Sequence, residues 1–338
     1  MHSENSVYEV AIIGRISWNL HSLSNEGTVG NVTEPRTLVL ADGTKTDGVS
    51  GEMLKHIHAN YLWQLISNRE NELCTACRDL NPERANANEF VRKANTPEKA
   101  VEEALKCTLC DLHGFLVERP TVSRESTVEF GWAVGLPQVY RETHTHARHS
   151  PREAFLPIEE ELEPGKWGEN KCSEKNCKTS PNESKLYKIK DKWYCEEHLP
   201  IRAAQMVYHR PTRSGIYGII SVFQPWRIGR NDVNLKLVNG INRQNRYKLA
   251  LEAYIAMFLR TEGAMTSVRL PHTDKFEGIV VYTTTNFPVP VVSPLNDDYI
   301  QQIKNVAQQI KVKFAEFNSL SDFIREIKNL EEMQPWSG

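Results

Sequence analysis

Two pairs of cysteines, each with two residues between its members, are the clearest chemical feature of this sequence. Cys74 and Cys77 form the first pair, and Cys107 and Cys110 form the second. Each pair can present two thiolates from one turn, and four thiolates complete the tetrahedral shell that Zn²⁺ prefers. The spacing therefore predicts a Cys₄ zinc site.

The remaining three cysteines suggest a second metal site. Cys172 and Cys177 precede Cys195, and His198 follows three residues later. Three thiolates and one imidazole in two close pairs are typical of a small zinc knuckle, here with a hairpin between the pairs. Both predicted sites have four protein ligands and no open position, so we expect structural rather than catalytic zinc. The segment around the second site has few aliphatic residues, and the metal would stand in for a core.

The basic start of a helix is the second feature that could bind a ligand. Ser50 can cap a helix whose apolar residues recur every three to four positions, and Lys55, His56 and His58 follow in its first two turns. We expect these three side chains to lie largely off the apolar face, where they could meet an anion such as phosphate. The alternative is a capped surface helix with solvated charges.

A small-residue loop from Glu262 to His272 could also approach a polyanion. It contains Gly263, Ala264, Ser267 and Arg269, and small residues allow the backbone to come close to a ligand. A plain connector between a helix and a strand is the equally plausible alternative.

The composition indicates an ordinary soluble globular protein. The chain has 338 residues, 40% apolar and 25% charged residues, and a formal net charge of −2. This balance argues against a wholly basic surface, although a local basic stripe could still bind nucleic acid. The first five residues lack a targeting pattern and no run is long enough to cross a bilayer. We therefore expect a cytoplasmic protein without membrane contact, in which cysteines bind metal rather than form disulfides.

Periodicity places these features on alternating strands and helices. We expect a strand at 7–20, a ligand-facing or mobile loop at 22–34, and a strand at 35–40 before the basic helix. A helix should begin at Thr96–Pro97, and a strand should carry Val128 to Val134. Tyr140 to His149 should form a basic solvated loop.

The second half of the chain continues this pattern. We expect two strands, at 205–210 and 215–223, joined by a turn at 211–214. A helix at 244–260 and a strand at 278–283 should follow. A last long helix from Asp297 should include Phe314 and Phe317, with a short helical turn near Phe323 after it.

In combination, three stretches resemble a known family. They are Val49–His58 after the strand and loop, Cys107–Leu116, and Gly263–Ser267. Together they resemble the DevR-type CRISPR-associated backbone subunit of Cascade, the Cas-seven family of type I systems. The resemblance covers the chain except the acidic zinc insert at 151–200.

The resemblance implies an α+β fold with an RRM-like (ferredoxin-like) palm, inserted zinc-containing fingers and a thumb hairpin. Residues 1–70 and 205–338 would form the palm with its thumb, which we place around Met206 and Tyr208. Residues 71–150 would form a finger insertion with the Cys₄ site. Residues 151–200 would form an acidic insertion with the Cys₃His knuckle, facing away from RNA.

The resemblance also implies a function without catalysis. Copies of the subunit would line up as a helical filament along CRISPR RNA, contact other Cascade subunits, and present the guide for pairing with target DNA. The ribonucleoprotein would serve antiviral defence. By motif, the residues expected to line the guide are Asn19, His21, Arg36, Ser50, Lys55, His56, His58, Arg119, Arg124, Ser126, Gly263, Ala264, Ser267 and Arg269.

Two other functions fit parts of the sequence. Related backbone subunits cut target RNA with an aspartate after the first strand, but the loop at 22–34 offers Glu26 and Glu34 and no aspartate. A metal-dependent RNA-cleaving subunit is therefore the less favoured hypothesis. The other is a zinc-stabilised RNA-binding regulator that acts alone as a monomer.

Overall fold

The computed structural model describes residues 5–148, 154–155, 158–202 and 206–337. The chain divides into two compact units. The first comprises Met1–Gly27, Thr33–Glu142 and Pro211–Gly338, and the second comprises Thr28–Val32 and Thr143–Arg210. Across the described ranges, no helix is both long enough and apolar enough to cross a membrane.

The described residues form strands and helices in an alternating order. The strands are β1 (Ser6–Val7), β2 (Glu9–His21), β3 (Asn25–Val29), β4 (Val32–Pro35), β5 (Thr37–Val39), β6 (Lys45–Val49), β7 (Phe115–Glu118), β8 (Thr121–Arg124), β9 (Val128–Phe130), β10 (Ala133–Gly135), β11 (Tyr140–Arg148), β12 (Ala154–Phe155), β13 (Glu160–Leu162), β14 (Leu186–Ile189), β15 (Lys192–Cys195), β16 (Ile201–Arg202), β17 (Met206–Phe223), β18 (His272–Thr283), β19 (Lys313–Phe317) and β20 (Gln334–Pro335). The helices are α1 (Gly51–Leu65), α2 (Arg69–Glu72), α3 (Thr75–Arg78), α4 (Glu89–Arg92), α5 (Pro97–Leu105), α6 (Thr108–His113), α7 (Arg243–Leu259), α8 (Tyr299–Ile310) and α9 (Leu320–Glu331). The fold is therefore a mixed α/β arrangement.

An antiparallel sheet forms the centre of the first unit. Its strands follow the order β19-β18-β2-β17-β10-β6-β5. In the chain, α1 lies between β2 and β10, and α7 lies between β17 and β18. The strands β18, β2, β17 and β10 are adjacent in the sheet, and further strands and short helices are inserted between β2 and α1 and between α1 and β10.

Both faces of β2 are buried, because helices cover the sheet on either side. Ile12 and Trp18 belong to the larger core, which also includes residues of α1, α7 and α9. Ala11 and Ile13 belong to a second core with residues of α8. Successive side chains of a strand point to opposite faces, so this alternation confirms the strand predicted at 7–20.

Several predicted elements are confirmed. Ser50 caps α1 by accepting a hydrogen bond from the Met53 N–H at 3.2 Å, and Thr96 caps α5 in the same way. The helix predicted at 244–260 is α7, and the short helical turn near Phe323 is the longer α9. The predicted hairpin in the zinc insert is formed by β14 and β15.

The turn predicted at 211–214 is wrong. β17 is one continuous strand, and its pairing with β2 extends to Arg213 opposite His21. A register shift between Arg213 and Gly215 accommodates the irregularity. Pairing with a long neighbouring strand therefore converts a turn-like sequence into a bulge.

The predicted last long helix is also wrong in its second half. Lys311 adopts a left-handed backbone with φ of 57° and ends α8. Phe314 and Phe317 lie instead in β19, opposite Val281 and Gly278 of β18. A short apolar run fits the periodicity of a helix and that of a strand. This run forms a strand because it pairs with the free edge of β18.

Two predicted loops contain strands. Residues 22–34 include β3 and most of β4, which pair with each other. Tyr140–Arg148 is β11 rather than a loop. His149, the last residue of that predicted loop, lies outside the described residues. The alternation of threonine and histidine from Thr143 to His146 was the available signal for a strand. The strand predicted from Val128 to Val134 is interrupted, since Gly131 and Trp132 separate β9 from β10.

Candidate functional site

The four cysteines of the first predicted metal site converge on one point. Cys74 and Cys107 cap α3 and α6, and Cys77 and Cys110 lie in the first turns of those helices. The four sulfur atoms lie within 4.8 Å of one another, and the Cys77 and Cys110 sulfurs are 3.6 Å apart. Zn–S bonds of about 2.3 Å in a tetrahedron place sulfurs about 3.8 Å apart. The cluster therefore has the donors and the size to hold a metal ion.

The protonation of this cluster supports the same conclusion. Hydrogen bonding with Cys107 and burial raise the pKa of Cys77 and of Cys110, whereas hydrogen bonding with the other thiols lowers the pKa of Cys74, so the four sulfurs share their protons. Several buried thiolates repel one another, so protons remain in the absence of a cation. A bound dication would replace these protons, because the thiolate is the ligand form.

The second predicted ligand set also converges. Cys172, Cys177, Cys195 and His198 place one donor atom each within 4.8 Å of the others. The Cys177 and Cys195 sulfurs are 3.6 Å apart, and the His198 Nδ1 is 3.0 Å from the Cys195 sulfur. The donor set fits a metal ion here too. A small apolar cluster around Trp167 adjoins it, so the metal would supplement a modest core rather than replace one.

The first turns of α1 place the predicted basic residues in different environments. Lys55 is half-buried, and His56 is exposed with its Nε2 3.1 Å from the Asn60 side-chain amide. Burial and the nearby Arg84 guanidinium lower the pKa of Lys55 from its ordinary value. Within the described residues the Lys55 ammonium has no hydrogen bond or ion pair, and the Glu129 and Glu52 carboxylates only partly offset the lowering of its pKa. An anion beside it would compensate its charge further.

The expectation that His58 lies off the apolar face is wrong. Its ring is fully buried, and its Nε2 lies 3.0 Å from the Ala250 carbonyl, to which it must donate. Its Nδ1 then accepts from the His113 Nε2 at 3.0 Å. His58 follows Leu54 and precedes Leu62 by four residues each, so helical spacing already placed it on the buried face.

Burial lowers the pKa of His58 to about 3 and that of His113 well below its ordinary value. Both rings are therefore neutral in the folded protein, whereas in the unfolded chain they bind protons below about pH 6.5. The unfolded state binds more protons in this window, so stability falls as the pH falls. Between pH 7.5 and 5.5, we expect His58 to contribute a loss of about 1.4 kcal/mol in the free energy of unfolding.

Denaturant unfolding of wild type and His58→Gln at these two pH values measures this difference. The glutamine variant should be less stable at pH 7.5 but should lose less on acidification. His56→Gln, at an exposed position, is the matched control. Equal pH dependence of wild type and His58→Gln would show that His58 is not the titrating group.

Arg124 and Ser126, predicted to contact RNA, are buried and bonded within the protein. Arg124 donates to the Asp111 carboxylate at 2.7 Å, and Arg246 donates to the other Asp111 oxygen at 2.6 Å. The backbone N–H of Gly229 also donates to Asp111, at 2.9 Å. Ser126 donates to backbone carbonyls. This network joins α6 to α7, and neither predicted side chain has a free polar group to offer a ligand.

His21, at the end of β2, is buried as well. Its Nε2 lies 2.9 Å from the Tyr217 hydroxyl, which donates to the Asp47 carboxylate at 3.0 Å. Arg213 and Arg141 also pair with Asp47, each at 3.3 Å. Burial and the Arg213 guanidinium lower the pKa of His21 well below its ordinary value. The side chain of Asn19, two residues earlier, is only half-buried.

The loop after α7 lies against the first turns of α1. A Cβ atom built on Gly263 would be 3.2 Å from the Met53 sulfur and 3.2 Å from a Leu23 methyl group. Ala264 is half-buried, Ser267 is exposed, and Arg269 donates to the Thr212 hydroxyl at 3.1 Å. The structure therefore brings together the end of β2, the start of α1 and this loop.

Arg36 and Arg119 lie in different places. Arg36 forms an ion pair with Glu26 at 3.2 Å, and its guanidinium lies 5.6 Å from the centre of the Trp132 ring. Arg119 is exposed in the turn between β7 and β8. No hydrogen bond or ion pair joins Arg119 to α1 within the described ranges.

A cleft of about 1070 Å³ lies beside α1. Lys55 and His56 line it from α1, Arg84 lines it from the segment after α3, and Glu129 lines it from β9. Arg84 donates to the backbone carbonyls of His113 and Gly114, which also line the cleft. Sequence reasoning missed Arg84, because nothing near it in the chain forms a recognisable motif.

Comparison with protein families assigns most of this chain. The family described as CRISPR-associated negative auto-regulator DevR/Csa2 matches residues 12–172 and 195–304. The chain belongs to this family. The DevR/Csa2 match includes all four cysteines of the first cluster, α1 and the loop after α7. Of the second cluster, Cys177 lies in the unmatched residues 173–194.

Two solved structures are similar to this DevR/Csa2 family member at low identity. One, described as "CRISPR RNA-guided surveillance complex", is 10% identical with a TM-score of 0.44, covering 96% of this chain and 98% of that chain. The other, described as "CRISPR RNA-guided surveillance complex, pre-nicking", is 11% identical with a TM-score of 0.45, covering 90% and 89%. Curated protein sequences give no match.

Proposed function

We propose that this protein is a non-catalytic CRISPR RNA-binding backbone subunit of a type I interference complex, Cascade. Copies of it would assemble along the guide RNA as a helical filament, beside other Cascade subunits, and would present the guide for pairing with target DNA. Membership of the CRISPR-associated DevR/Csa2 family carries this proposal. We also propose a cytoplasmic location.

The proximity of three predicted RNA-binding segments supports the proposal. The end of β2, the first turns of α1 and the Gly263 loop lie side by side, although more than two hundred residues separate the first from the last. The half-buried Lys55 and the exposed His56 and Ser267 offer cationic and polar groups there. Such groups suit phosphate and 2′-hydroxyl contacts, which hold RNA of any sequence.

We propose an RRM-like (ferredoxin-like) palm for the central sheet. When the inserted strands and short helices are set aside, the order β2-α1-β10-β17-α7-β18 remains, with the sheet order β18-β2-β17-β10. This supports the proposal, because it is the β-α-β-β-α-β pattern of that fold. The division into palm (1–70 and 205–338), fingers (71–150) and insertion (151–200) stays a prediction. So does the thumb around Met206 and Tyr208.

We propose that both clusters bind Zn²⁺ in a structural role. Thiolate and imidazole donors in sets of four are what Zn²⁺ selects, and four protein ligands leave no position for substrate. The environment of the carboxylates supports a non-catalytic subunit. Glu26 is paired with Arg36, and Asp47 is buried between two arginines.

Light scattering with size-exclusion chromatography tests the proposal directly. We expect the particle mass to increase stepwise with the length of the CRISPR RNA.

Lys55→Glu should weaken RNA binding and reduce the dependence of log K on log salt by about 0.7 for each phosphate that the variant no longer neutralises. Lys99→Glu, an equal charge change at an exposed helical position in α5, is the control and should leave the salt dependence unchanged.

Three outcomes would contradict parts of this proposal. Monomers with and without RNA would exclude a backbone subunit. An unchanged salt dependence in Lys55→Glu would show that Lys55 does not contact RNA phosphate. Magnesium-dependent cutting of a complementary RNA that disappears on changing Glu26 would make the subunit an enzyme.

A further inference from the structure

Trp132 is a large aromatic residue at the surface, in the break between β9 and β10. Its side chain is 38% exposed, whereas Trp18 and Trp167 are buried. In the described part of the chain, its indole N–H has no hydrogen-bond partner. A partly exposed indole whose N–H has no such partner suggests a contact with another molecule.

Trp132 is nevertheless held in place by its neighbours. A Cβ atom built on Gly48 would lie 3.3 Å from the Trp132 Cε3 atom, so the ring packs directly over the glycine backbone. The Arg36 guanidinium lies 5.6 Å from the ring centre, and the ion pair with Glu26 restrains that guanidinium. A ring fixed before binding loses little entropy on binding, which favours stacking.

The position of Trp132 connects it to the proposed RNA surface. A Cβ atom on Gly51, the first residue of α1, would lie 2.4 Å from the Phe130 carbonyl oxygen and 3.3 Å from that of Gly131. The residues that precede Trp132 therefore touch the first turn of α1. Glu129, three residues before Trp132, lines the same cleft as Lys55. A nucleotide whose phosphate lies near the start of α1 could place its base on the indole.

We propose that Trp132, packed on Gly48 and flanked by Arg36, is a stacking platform for one unpaired base of the bound RNA. This rests on the proposed function, because the base belongs to an RNA whose backbone follows α1. Aromatic rings and arginine planes stack on every base, so the platform would accept any guide sequence. It adds to the phosphate contacts an interaction that does not depend on charge.

Tryptophan fluorescence and RNA affinity together test this proposal. The probes are single-stranded RNA of guide length and the same RNA with abasic sites. We expect wild type to be quenched by the intact RNA, and Trp132→Phe to lose part of that quenching while keeping its affinity within about threefold. Trp132→Ala should bind about 5- to 150-fold more weakly, which is the range for loss of one stacked base. Its salt dependence should equal that of wild type.

Three controls make the result specific. Trp226→Phe, whose ring stacks on Tyr8, should keep the full change in quenching at the Trp132 site. Thermal unfolding of Trp132→Ala without RNA should remain cooperative, with a melting temperature well above the temperature of the binding experiment. Abasic RNA should bind wild type and Trp132→Ala with equal affinity.

Wild-type affinity in Trp132→Ala, with undiminished quenching in Trp132→Phe, would overturn the platform and leave the proposed function intact. A changed oligomeric state of RNA-free Trp132→Ala with unchanged RNA affinity would overturn it in favour of a protein interface. Absence of RNA binding by wild type would overturn the proposed function itself, and the platform with it.

Discussion

Replacing Cys110 with serine is expected to remove the metal from the Cys₄ cluster and to unfold the segment between α1 and β7. This segment contains only short helices, and its two halves meet at the four sulfur atoms. Structural zinc contributes apparent binding free energies of about 10–16 kcal/mol to small metal-dependent folds. Loss of one of four ligands should therefore cost several kcal/mol, more than an ordinary cavity.

Mass spectrometry of the metal content and hydrogen exchange measure the two effects. Wild type should carry two equivalents of zinc and Cys110→Ser one, with rapid exchange confined to residues near 74–113. Cys172→Ser is the matched control, because it should remove the other equivalent and leave the segment between α1 and β7 protected. Two full equivalents in Cys110→Ser would show that Cys110 is not a ligand.

The second large effect is expected from Asp111→Ala. The Asp111 carboxylate is fully buried and pairs with Arg124 and Arg246 at 2.7 and 2.6 Å. Its removal leaves two buried guanidinium groups without their shared counter-charge. Breaking a buried ion pair in this way typically costs about 3–5 kcal/mol. We expect a loss of this size in the free energy of unfolding, measured by denaturant titration.

Two further variants show whether the charge is the cause. Asp232 also pairs with Arg124 at 2.8 Å, but its side chain is partly exposed, so Asp232→Ala should cost less than about 1 kcal/mol. Arg246→Met combined with Asp111→Ala should be less destabilised than the sum of the two changes, since one unpaired cation is removed. Strict additivity would mean that packing, rather than charge, accounts for the loss.

The buried network around Asp47 explains why His21, a predicted RNA-binding residue, lies in the protein interior. Arg213 and Asp47 are 166 positions apart and meet only because β17 and β6 belong to the same sheet. A sequence pattern contains no information about such a pair, since each residue resembles an ordinary surface charge. His21 is drawn into the same interior because Arg213 lies opposite it on β17.

Local spacing alone determined the candidate metal ligands, the cap of α1 and the main helices. A C-x-x-C pair or an N-cap acts over one turn, and an apolar stripe follows from the helical period, so neighbouring residues suffice to define each of them. Even His58 was within reach of this reasoning, since it shares the buried face with Leu54 and Leu62. Each of these features depends on neighbouring residues and not on distant segments of the chain.

Only the tertiary structure decided which basic residues stay at the surface and which edge a short apolar run joins. Lys55 and Arg124 are both cations in predicted binding motifs, yet Arg124 has Asp111 within 2.7 Å and Lys55 has no such partner among the described residues. Phe314 joins β18 because that strand had an open edge. Burial of a charge depends on counter-charges brought from distant segments, and strand pairing depends on available neighbours. Counter-charges and free strand edges come from distant segments, so a short stretch of sequence does not predict them.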